Sequence, residues 1–196
     1  AEIFRASGTK TSISTGGSSG VPTKFPVSDS DYQENYTRTY VGRGWWGVKP
    51  LDRIASLWGH SHLFGSGIPG KIKELERKLK DSLIGTVRLN AYDMSVSKIE
   101  SYFKKILDMR PKVIIGYTSC LFKLAKFMVE NNLIGSFSKD LVAVIPTAES
   151  LSESDILLMR KAFLVPVVIE YGMAETGTIA YSHQETNNIR IFWESF

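Results

Sequence analysis

Cysteine is scarce in this sequence, and Cys120 is the single thiol among 196 residues. One cysteine excludes an internal disulfide, and no Cys/His cluster has the spacing of a zinc site. No apolar run approaches the roughly 20 residues that span a bilayer, and the N-terminus lacks the charged and apolar regions of a signal peptide. These absences predict a cytoplasmic protein without membrane insertion.

Clustered charge is also lacking. The 24 Lys and Arg residues exceed the 20 acidic residues only enough for a net charge of +4, and most of them are scattered. Nucleic-acid binding calls for a basic stripe and a recognisable module, so we expect no nucleic-acid partner. What is present is a 43% hydrophobic and 11% aromatic composition, which favours one ordered domain with a substantial core.

Short apolar runs alternate with amphipathic stretches along the chain. This alternation is typical of βαβ units and predicts an α/β fold, with a mostly parallel sheet flanked by helices. A polar turn at residues 186–188 predicts a late β-hairpin. The predicted strands are Arg53–Trp58, Thr86–Asn90, Val113–Gly116, Leu141–Ile145, Val167–Tyr171, Thr178–Ser182 and Ile189–Trp193.

Apolar residues at helical spacing predict the intervening helices. Ser152 followed by Asp155 resembles the N-terminal cap of the last of them. The predicted apolar faces are Ile72, Leu75, Leu79 and Leu83; Ile99, Tyr102, Phe103, Ile106 and Leu107; Leu121, Leu124, Ala125 and Met128; and Ile156, Leu157, Met159, Ala162 and Phe163.

Glycines and hydroxyls alternate in the opening segment Ser14 to Lys24. Successive backbone N–H groups of such a loop can turn toward one polyphosphate, and a flexible linker is the alternative interpretation. The segment is not a Walker loop, because no G-K-[ST] closes it. It also matches G-x-S-x-G, but a nucleophile elbow needs a strand before the serine and a helix after it, whereas Pro22 and polar flanks stand there.

Gly65, Gly67 and Gly70 form a G-x-G-x-x-G pattern with Asp93 roughly 20 residues further on, as in a dinucleotide site. The residues from His60 to Phe64 stand between the preceding strand and these glycines, although the motif requires an immediate turn. A nicotinamide-dependent oxidoreductase is therefore kept as an alternative. The loop that contains His62 could instead line a ligand channel or form an ordinary turn.

Two later segments follow apolar strands, where ligands of open sheets bind. Thr147-Ala148-Glu149 has small side chains against which a flat base could lie, although a glutamate before a helix more often compensates a helix dipole. Tyr171-Gly172-Met173-Ala174-Glu175 offers a ring for stacking, a glycine for close approach and a carboxylate suited to Mg²⁺.

The order of these segments is more specific than any one of them. A Thr-Gly-Gly-Ser-Ser-Gly-Val-Pro loop, then Thr-Ala-Glu, then Tyr-Gly-Met-Ala-Glu resembles the adenylate-forming (AMP-forming) acid ligases. Trp45-Trp46-Gly47 and Gly116-Tyr117-Thr118-Ser119 look more specifically like phenylacetate-CoA ligases and their capsule-biosynthesis relatives. The resemblance covers nearly the whole chain.

The resemblance implies an enzyme that uses ATP and Mg²⁺ to convert a small-molecule carboxylic acid to an acyl adenylate, usually for transfer to coenzyme A. Glu175 would hold Mg²⁺ and is the catalytic candidate, whereas His62 and Tyr117 would line the acyl pocket. The implied nucleotide-binding residues are Thr15, Gly16, Gly17, Ser18, Ser19, Gly20, Thr23, Ala148, Glu149, Tyr171, Gly172 and Ala174.

Two positions depart from the pattern, since Gly16 replaces the usual Ser and Ala174 replaces a hydroxyl residue. The family's catalytic Lys lies on a mobile C-terminal domain beyond these motifs, so we expect residues 1–196 to be a partial N-terminal domain with very slow adenylation of its own. A non-catalytic nucleotide- or acyl-binding module is the alternative. The identity of the acid and the oligomeric state, with a homodimer as one arrangement, stay open.

Overall fold

The computed structural model describes residues 11–14, 24–59, 80–81, 83–137, 139–184 and 188–193. The chain divides into two compact units: Ala1–Trp45 together with Glu170–Phe196 form the first, and Trp46–Ile169 form the second. Within the described ranges, no helix is both long and apolar enough to cross a membrane.

The first described elements of the first unit are an antiparallel strand pair and a helix. Ser28 caps this helix by accepting a hydrogen bond from the backbone N–H of Asp31, and Asp29 and Asp31 complement the helix dipole. These elements are β1 (Thr11–Ser14), β2 (Lys24–Val27) and α1 (Asp29–Gly44). Helix α1 is not among the helices predicted from the sequence.

The second unit contains a four-stranded parallel sheet in its described part. Its elements in chain order are β3 (Ile54–Trp58), β4 (Thr86–Asn90), α2 (Val96–Met109), β5 (Val113–Tyr117), α3 (Thr118–Glu130), β6 (Ala143–Thr147) and α4 (Glu153–Phe163). The strands lie in the order β4-β3-β5-β6. Consecutive residues of β5 and β6 are buried, so these two strands are covered on both faces, as predicted for a parallel sheet.

The core of the second unit lies between this sheet and its helices. Leu57, Ile114 and Val144 from the strands join Ile106 of α2 and Leu121 of α3 in one cluster. Ser152 and Asp155 form the capping box of α4, which confirms that prediction. Gly116 is required in β5, because a Cβ there would lie 2.6 Å from the carbonyl oxygen of Leu57.

The first unit ends with an antiparallel sheet of β7 (Glu170–Met173), β8 (Gly177–Ser182) and β9 (Ile189–Ile191). This sheet confirms the late hairpin. Helix α1 packs on β8, where the absence of a side chain at Gly42 leaves room for the buried ring of Tyr181. The Tyr181 hydroxyl donates a hydrogen bond to Glu170, whose carboxylate also lies 3.5 Å from the Arg43 guanidinium.

Several boundaries differ from those predicted. Strand β6 begins two residues later than Leu141–Ile145 and continues through Pro146 to Thr147, which is buried. The single strand expected at Val167–Tyr171 is wrong, because Val167 forms an isolated parallel bridge with Val144 and the chain then enters β7 of another sheet.

Three leucines that we expected on apolar helix faces are exposed in the structure. Leu83 is 84% exposed, Leu157 59% and Leu107 38%. Helical spacing alone had placed these three leucines with the core residues, and their exposure shows that the buried face is narrower than predicted for the helices that contain Leu107 and Leu157. The rest of the first predicted helix, residues 72–79, lies outside the described residues.

Candidate functional site

The carboxyl edge of the parallel sheet brings together residues from distant parts of the sequence. Strands β3, β4, β5 and β6 end there at Trp58, Asn90, Tyr117 and Thr147. Ligands of open α/β sheets bind beyond this edge. The residues that follow these strands therefore form the candidate site of the second unit.

Glu149 makes the best-defined polar contact at this edge. One carboxylate oxygen accepts a hydrogen bond from the backbone N–H of Ser119 at 2.7 Å, and the other lies 3.1 Å from the Ser119 hydroxyl, which donates to it. Ser119 is in the first turn of α3, where backbone N–H groups have no partner within the helix. Glu149 therefore compensates a helix dipole, but that of α3 rather than that of the helix that follows it.

The backbone beside Glu149 is strained. Ala148 has φ +63°, in the left-handed region that residues with a side chain rarely adopt, and its side chain is exposed. Thr147, one residue earlier, is buried at the end of β6. The chain thus turns sharply at Ala148, from the buried strand toward the amino end of α3. The hydrogen bonds between Glu149 and Ser119 stabilise this turn.

Aromatic rings line another part of the same edge. Trp58 and Tyr117 stack with their ring centroids 4.7 Å apart and an interplanar angle of 27°. Tyr92 covers Gly59 so closely that a Cβ at Gly59 would lie 2.7 Å from the Tyr92 ring. Burial raises the pKa of the Tyr117 hydroxyl, and the nearby Tyr92 hydroxyl raises it further, so Tyr117 stays protonated at neutral pH.

Cys120 lies in the first turn of α3, behind these residues. Its thiol is buried, and this burial raises its pKa, with a further contribution from the negative charge of Glu149. Because the thiolate is the reactive form of cysteine, a buried thiol with a raised pKa is a poor nucleophile. Cys120 therefore belongs to the packing of the edge and is not a candidate for covalent chemistry.

The segment Tyr171 to Glu175 lies on the β7–β8 hairpin of the first unit, and not on a loop after a parallel strand as we expected. Tyr171 and Gly172 are within β7, whereas Ala174 and Glu175 form the turn. Tyr171 is 54% exposed, and Glu175 is exposed at the tip. Gly172 is needed because a Cβ there would clash with the carbonyl oxygen of Gly177 across the hairpin.

Helix α1 holds this turn through three side chains that the sequence analysis missed. The Asn35 side-chain oxygen accepts a hydrogen bond from the backbone N–H of Thr178 at 2.6 Å, and Arg38 donates to the carbonyl of Thr176 at 3.2 Å. The hydroxyls of Thr39 and Thr178 are 2.7 Å apart. The spacing of Asn35, Arg38 and Thr39 is visible in the sequence, but no sequence signal indicated that they contact the hairpin turn.

Of the residues proposed from the sequence, the structure brings Tyr117 and Glu149 together at the sheet edge, next to Ala148. It places Tyr171, Gly172, Ala174 and Glu175 on one hairpin. Trp58 and Tyr92 were missed, although their positions at and just after predicted strand ends could have identified them. The following candidates lie outside the described residues: Thr15, Gly16, Gly17, Ser18, Ser19, Gly20, Thr23 and His62.

Two further features of the described residues concern metal binding and a cavity. Among the described residues, no group of three or more His, Cys, Asp or Glu side chains could hold a metal ion by itself. A cavity of about 600 Å³ lies beside the residues that precede β5 and β6, away from the carboxyl edge, and contains none of the proposed site residues. Its lining residues are Leu107, Asp108, Arg110, Ser136, Lys139 and Asp140.

Comparison with known proteins places this geometry in context. No family model matches the chain. Protein CapK of Staphylococcus aureus is 28% identical over 106 residues, which are 52% of this chain and 22% of CapK. The chain thus spans only a small part of this relative.

Solved structures of ligases match much more of the chain. A 2-hydroxyisobutyryl-CoA ligase in complex with 2-HIB-AMP and CoA matches 92% of it and 37% of the ligase, at a TM-score of 0.67 and 18% identity. A long-chain-fatty-acid-CoA ligase from Archaeoglobus fulgidus matches 90% of it and 34% of that ligase, at 0.62 and 13%. A malonyl-CoA ligase with methylmalonyl-CoA and AMP bound matches 89% and 35%, at 0.59 and 16%. The fold implied by the sequence resemblance is therefore confirmed, since this chain has the fold of part of the AMP-forming acyl-CoA ligases.

Proposed function

We propose that this chain supplies the ATP- and acid-binding part of an enzyme that activates a carboxylic acid as an acyl adenylate and passes the acyl group to coenzyme A or another acceptor. The observation that carries the proposal is the fold match over 92% of the chain to a ligase that contains 2-HIB-AMP and CoA. Residues 1–196 would be the N-terminal nucleotide- and acyl-binding portion of this enzyme. The order of the sequence motifs supports the same function.

The reaction determines which groups the chain must provide. An oxygen of the substrate carboxylate attacks the α-phosphorus of ATP, the bond to the β-phosphate oxygen breaks, and pyrophosphate leaves with the electron pair. Negative charge accumulates on the phosphates as this happens, and preorganised donors aimed at that charge lower the barrier. The segment Thr15 to Thr23 would provide backbone N–H groups and hydroxyls for the phosphates.

Glu175 fits the requirement for an Mg²⁺ ligand. Mg²⁺ in nucleotide sites is commonly held by one or two carboxylates together with substrate phosphates. Glu175 is exposed at the hairpin tip, and in the described ranges its carboxylate has no hydrogen bond or ion pair. When bound, the metal would neutralise charge on the phosphates, with Gly172 and Ala174 close to the nucleotide.

The turn at Ala148 and Glu149 would border the adenine. Glu149 would contribute its backbone to this contact, because both carboxylate oxygens are already bonded to Ser119. In the first unit, the exposed ring of Tyr171 offers a stacking surface for a base. Tyr117 and His62 would line the acyl pocket. Tyr117 offers the substrate a neutral, half-buried hydroxyl next to the Trp58 ring.

Calorimetric titration of the chain with ATP, in the presence and absence of Mg²⁺, tests the nucleotide site. We expect Glu175→Ala to weaken the Mg²⁺-dependent affinity by about tenfold, equivalent to roughly 1.4 kcal/mol. Glu100→Ala, which removes an exposed carboxylate from a surface ion pair with Lys104, is the matched control and should bind like the unchanged protein. Equal binding by Glu175→Ala and the unchanged protein would count against the assignment of Glu175.

Exchange of labelled pyrophosphate into ATP, dependent on an added carboxylic acid, tests the reaction. It should be measured on the longest reading frame that contains this sequence, with a panel of aliphatic, aromatic and hydroxylated acids. Exchange with one class of acid would establish the reaction and its substrate class. Mg²⁺-dependent ATP binding without exchange for any acid would favour the non-catalytic binding module instead.

A further inference from the structure

Helix α1 directs polar side chains at the hairpin turn that contains Glu175. Asn35, Arg38 and Thr39 are spaced three and four residues apart, which places them on one face of the helix. Asn35 and Thr39 bind Thr178, and Arg38 binds the carbonyl of Thr176. All of these contacts fall within the three residues that follow Glu175.

The contacts fix the backbone of the turn and leave the Glu175 side chain exposed. Thr178 is 6% exposed, so the bonds to its N–H and hydroxyl form away from water, where losing a partner is costly. Gly177 has φ +68°, and a Cβ there would collide with the Asn35 amide. The lack of a side chain at Gly177 therefore allows Asn35 to reach the backbone of the turn.

Other contacts of α1 also attach the helix to the sheet. One to two turns further along α1, the Tyr181 ring packs against the backbone of Gly42, and Arg43 pairs with Glu170. That packing already joins α1 to β7 and β8. The bonds from Asn35 and Thr39 act at a different place, the backbone and hydroxyl of Thr178 just after Glu175.

We propose that Asn35 and Thr39, assisted by Arg38, are positioning residues that hold the Glu175 turn in the conformation in which its carboxylate binds Mg²⁺ with the ATP phosphates. This inference rests on the proposed function. It assigns to helix α1 a task in metal-nucleotide binding that its residues perform through the hairpin backbone, without touching either ligand.

The experiment compares ATP affinity with Mg²⁺ and with EDTA in single variants of the full chain. Asn35→Ala and Thr39→Val remove the two bonds to Thr178 and should weaken Mg²⁺-ATP binding by about fivefold, within the usual range of coupling between sites. Affinity for metal-free ATP should change by less than about twofold. Thr39→Ser keeps the hydroxyl and should restore Mg²⁺-ATP binding, and Gln33→Ala, which removes an exposed amide from the same helix, should have no effect.

Amide hydrogen exchange provides a readout that needs no nucleotide. The Thr178 N–H donates to Asn35, so its exchange should accelerate by about tenfold or more in Asn35→Ala and stay unchanged in Gln33→Ala. Unchanged protection of Thr178 in Asn35→Ala would overturn the inference, because the turn would then keep its conformation without this bond.

The outcomes separate this inference from the proposed function. If Glu175→Ala loses Mg²⁺-dependent binding but Asn35→Ala and Thr39→Val keep it, the positioning role is wrong and the function stands. If the variants lose metal-free and Mg²⁺-bound affinity equally, α1 has only a structural role, and the inference also fails. If Glu175→Ala binds Mg²⁺-ATP like the unchanged protein, the assignment of Glu175 itself fails. Should Asn35→Ala not fold, the Thr39→Val and Thr39→Ser pair decides.

Discussion

Two turns of the molecule each contain a glutamate that the sequence analysis singled out: Glu149 for nucleotide binding and Glu175 as an Mg²⁺ ligand. The structure surrounds the two carboxylates differently. Both oxygens of the Glu149 carboxylate are bonded to Ser119 at the start of α3. Within the described residues, the Glu175 carboxylate has no such bond, and it is exposed at the tip of a hairpin. A glutamate after a strand thus caps a helix in one unit and is an exposed carboxylate at a hairpin tip in the other.

The two turns are also stabilised from different distances along the chain. Glu149 is held by a residue 30 positions away, whereas Thr178 is held by Asn35, 143 positions away. In the first case the carboxylate itself stiffens the turn. In the second case side chains of α1 stiffen it and leave the carboxylate available. This difference teaches that the place of a carboxylate after a strand does not tell whether its oxygens are already bonded within the protein.

The largest change in the free energy of unfolding is expected at Gly177, in the turn that α1 stabilises. Gly177→Ala adds a Cβ at φ +68° that collides with Asn35. Backbone strain and loss of the Asn35 bond together should lower the free energy of unfolding by about 2–3 kcal/mol. Urea denaturation followed by tryptophan fluorescence measures the change.

Gly44→Ala is the control for this substitution. Gly44 is the last residue of α1, and a Cβ there would meet no atom within 4 Å. It should therefore be neutral or slightly stabilising, since alanine is the better helix former. A comparable loss of stability in both variants would mean that the bond between Asn35 and Thr178 contributes little to the turn.

The apolar part of the fold was predictable from the sequence because its signals are local. The strands Thr86–Asn90 and Thr178–Ser182 and the buried face of α3 appear as apolar runs or stripes, and the structure has them there. Helix α1 was missed for the opposite reason. Its buried residues are Arg38 and Gly42, so the sequence has no apolar stripe that would predict this helix. Only Ser28 and the acidic residues of the first turn indicated where it begins.

The candidate site was predictable only in part. The rule that ligands bind at strand ends pointed to Ala148, which the structure has at the sheet edge directly after β6, whereas Tyr117 was a candidate only through the family resemblance. It could not show that Glu149 is bonded to Ser119, because this contact depends on the pairing of β5 with β6. Nor could it show that Tyr171 lies within a hairpin strand, since an apolar run does not distinguish one continuous strand from two segments of different sheets.

An intermediate effect is expected at Glu149, where the two glutamates can be compared by the same substitution. Glu149→Ala removes a side chain that caps α3, and such caps contribute about 1–2 kcal/mol to the free energy of unfolding. Glu175→Ala should change it by less than about 0.5 kcal/mol, because the side chain is exposed. Thermal and urea denaturation of both variants measure the difference.

A double-mutant cycle identifies the source of the Glu149 effect. Ser119→Ala removes only the hydroxyl donor at 3.1 Å and leaves the backbone N–H bond at 2.7 Å. Ser119→Ala should therefore lower the free energy of unfolding by less than Glu149→Ala does. In the double variant the two losses should not add up fully. Fully additive effects would show that the carboxylate stabilises the protein without Ser119, and the contrast between the two turns would lose its basis.

The smallest change in the free energy of unfolding is expected at Ala148. Replacing alanine by glycine should change stability in opposite directions in the two turns. Ala148 has φ +63°, so Ala148→Gly removes backbone strain from the folded state. The free energy gained in this way should exceed the cost of the added flexibility of the unfolded chain, and the second unit should become more stable by about 0.5 kcal/mol. Ala174 has no positive φ, so Ala174→Gly adds only that flexibility and should destabilise by about 0.5–1 kcal/mol. Changes of the same sign in both variants, measured by urea denaturation, would mean that the left-handed conformation of Ala148 is not what distinguishes the two turns.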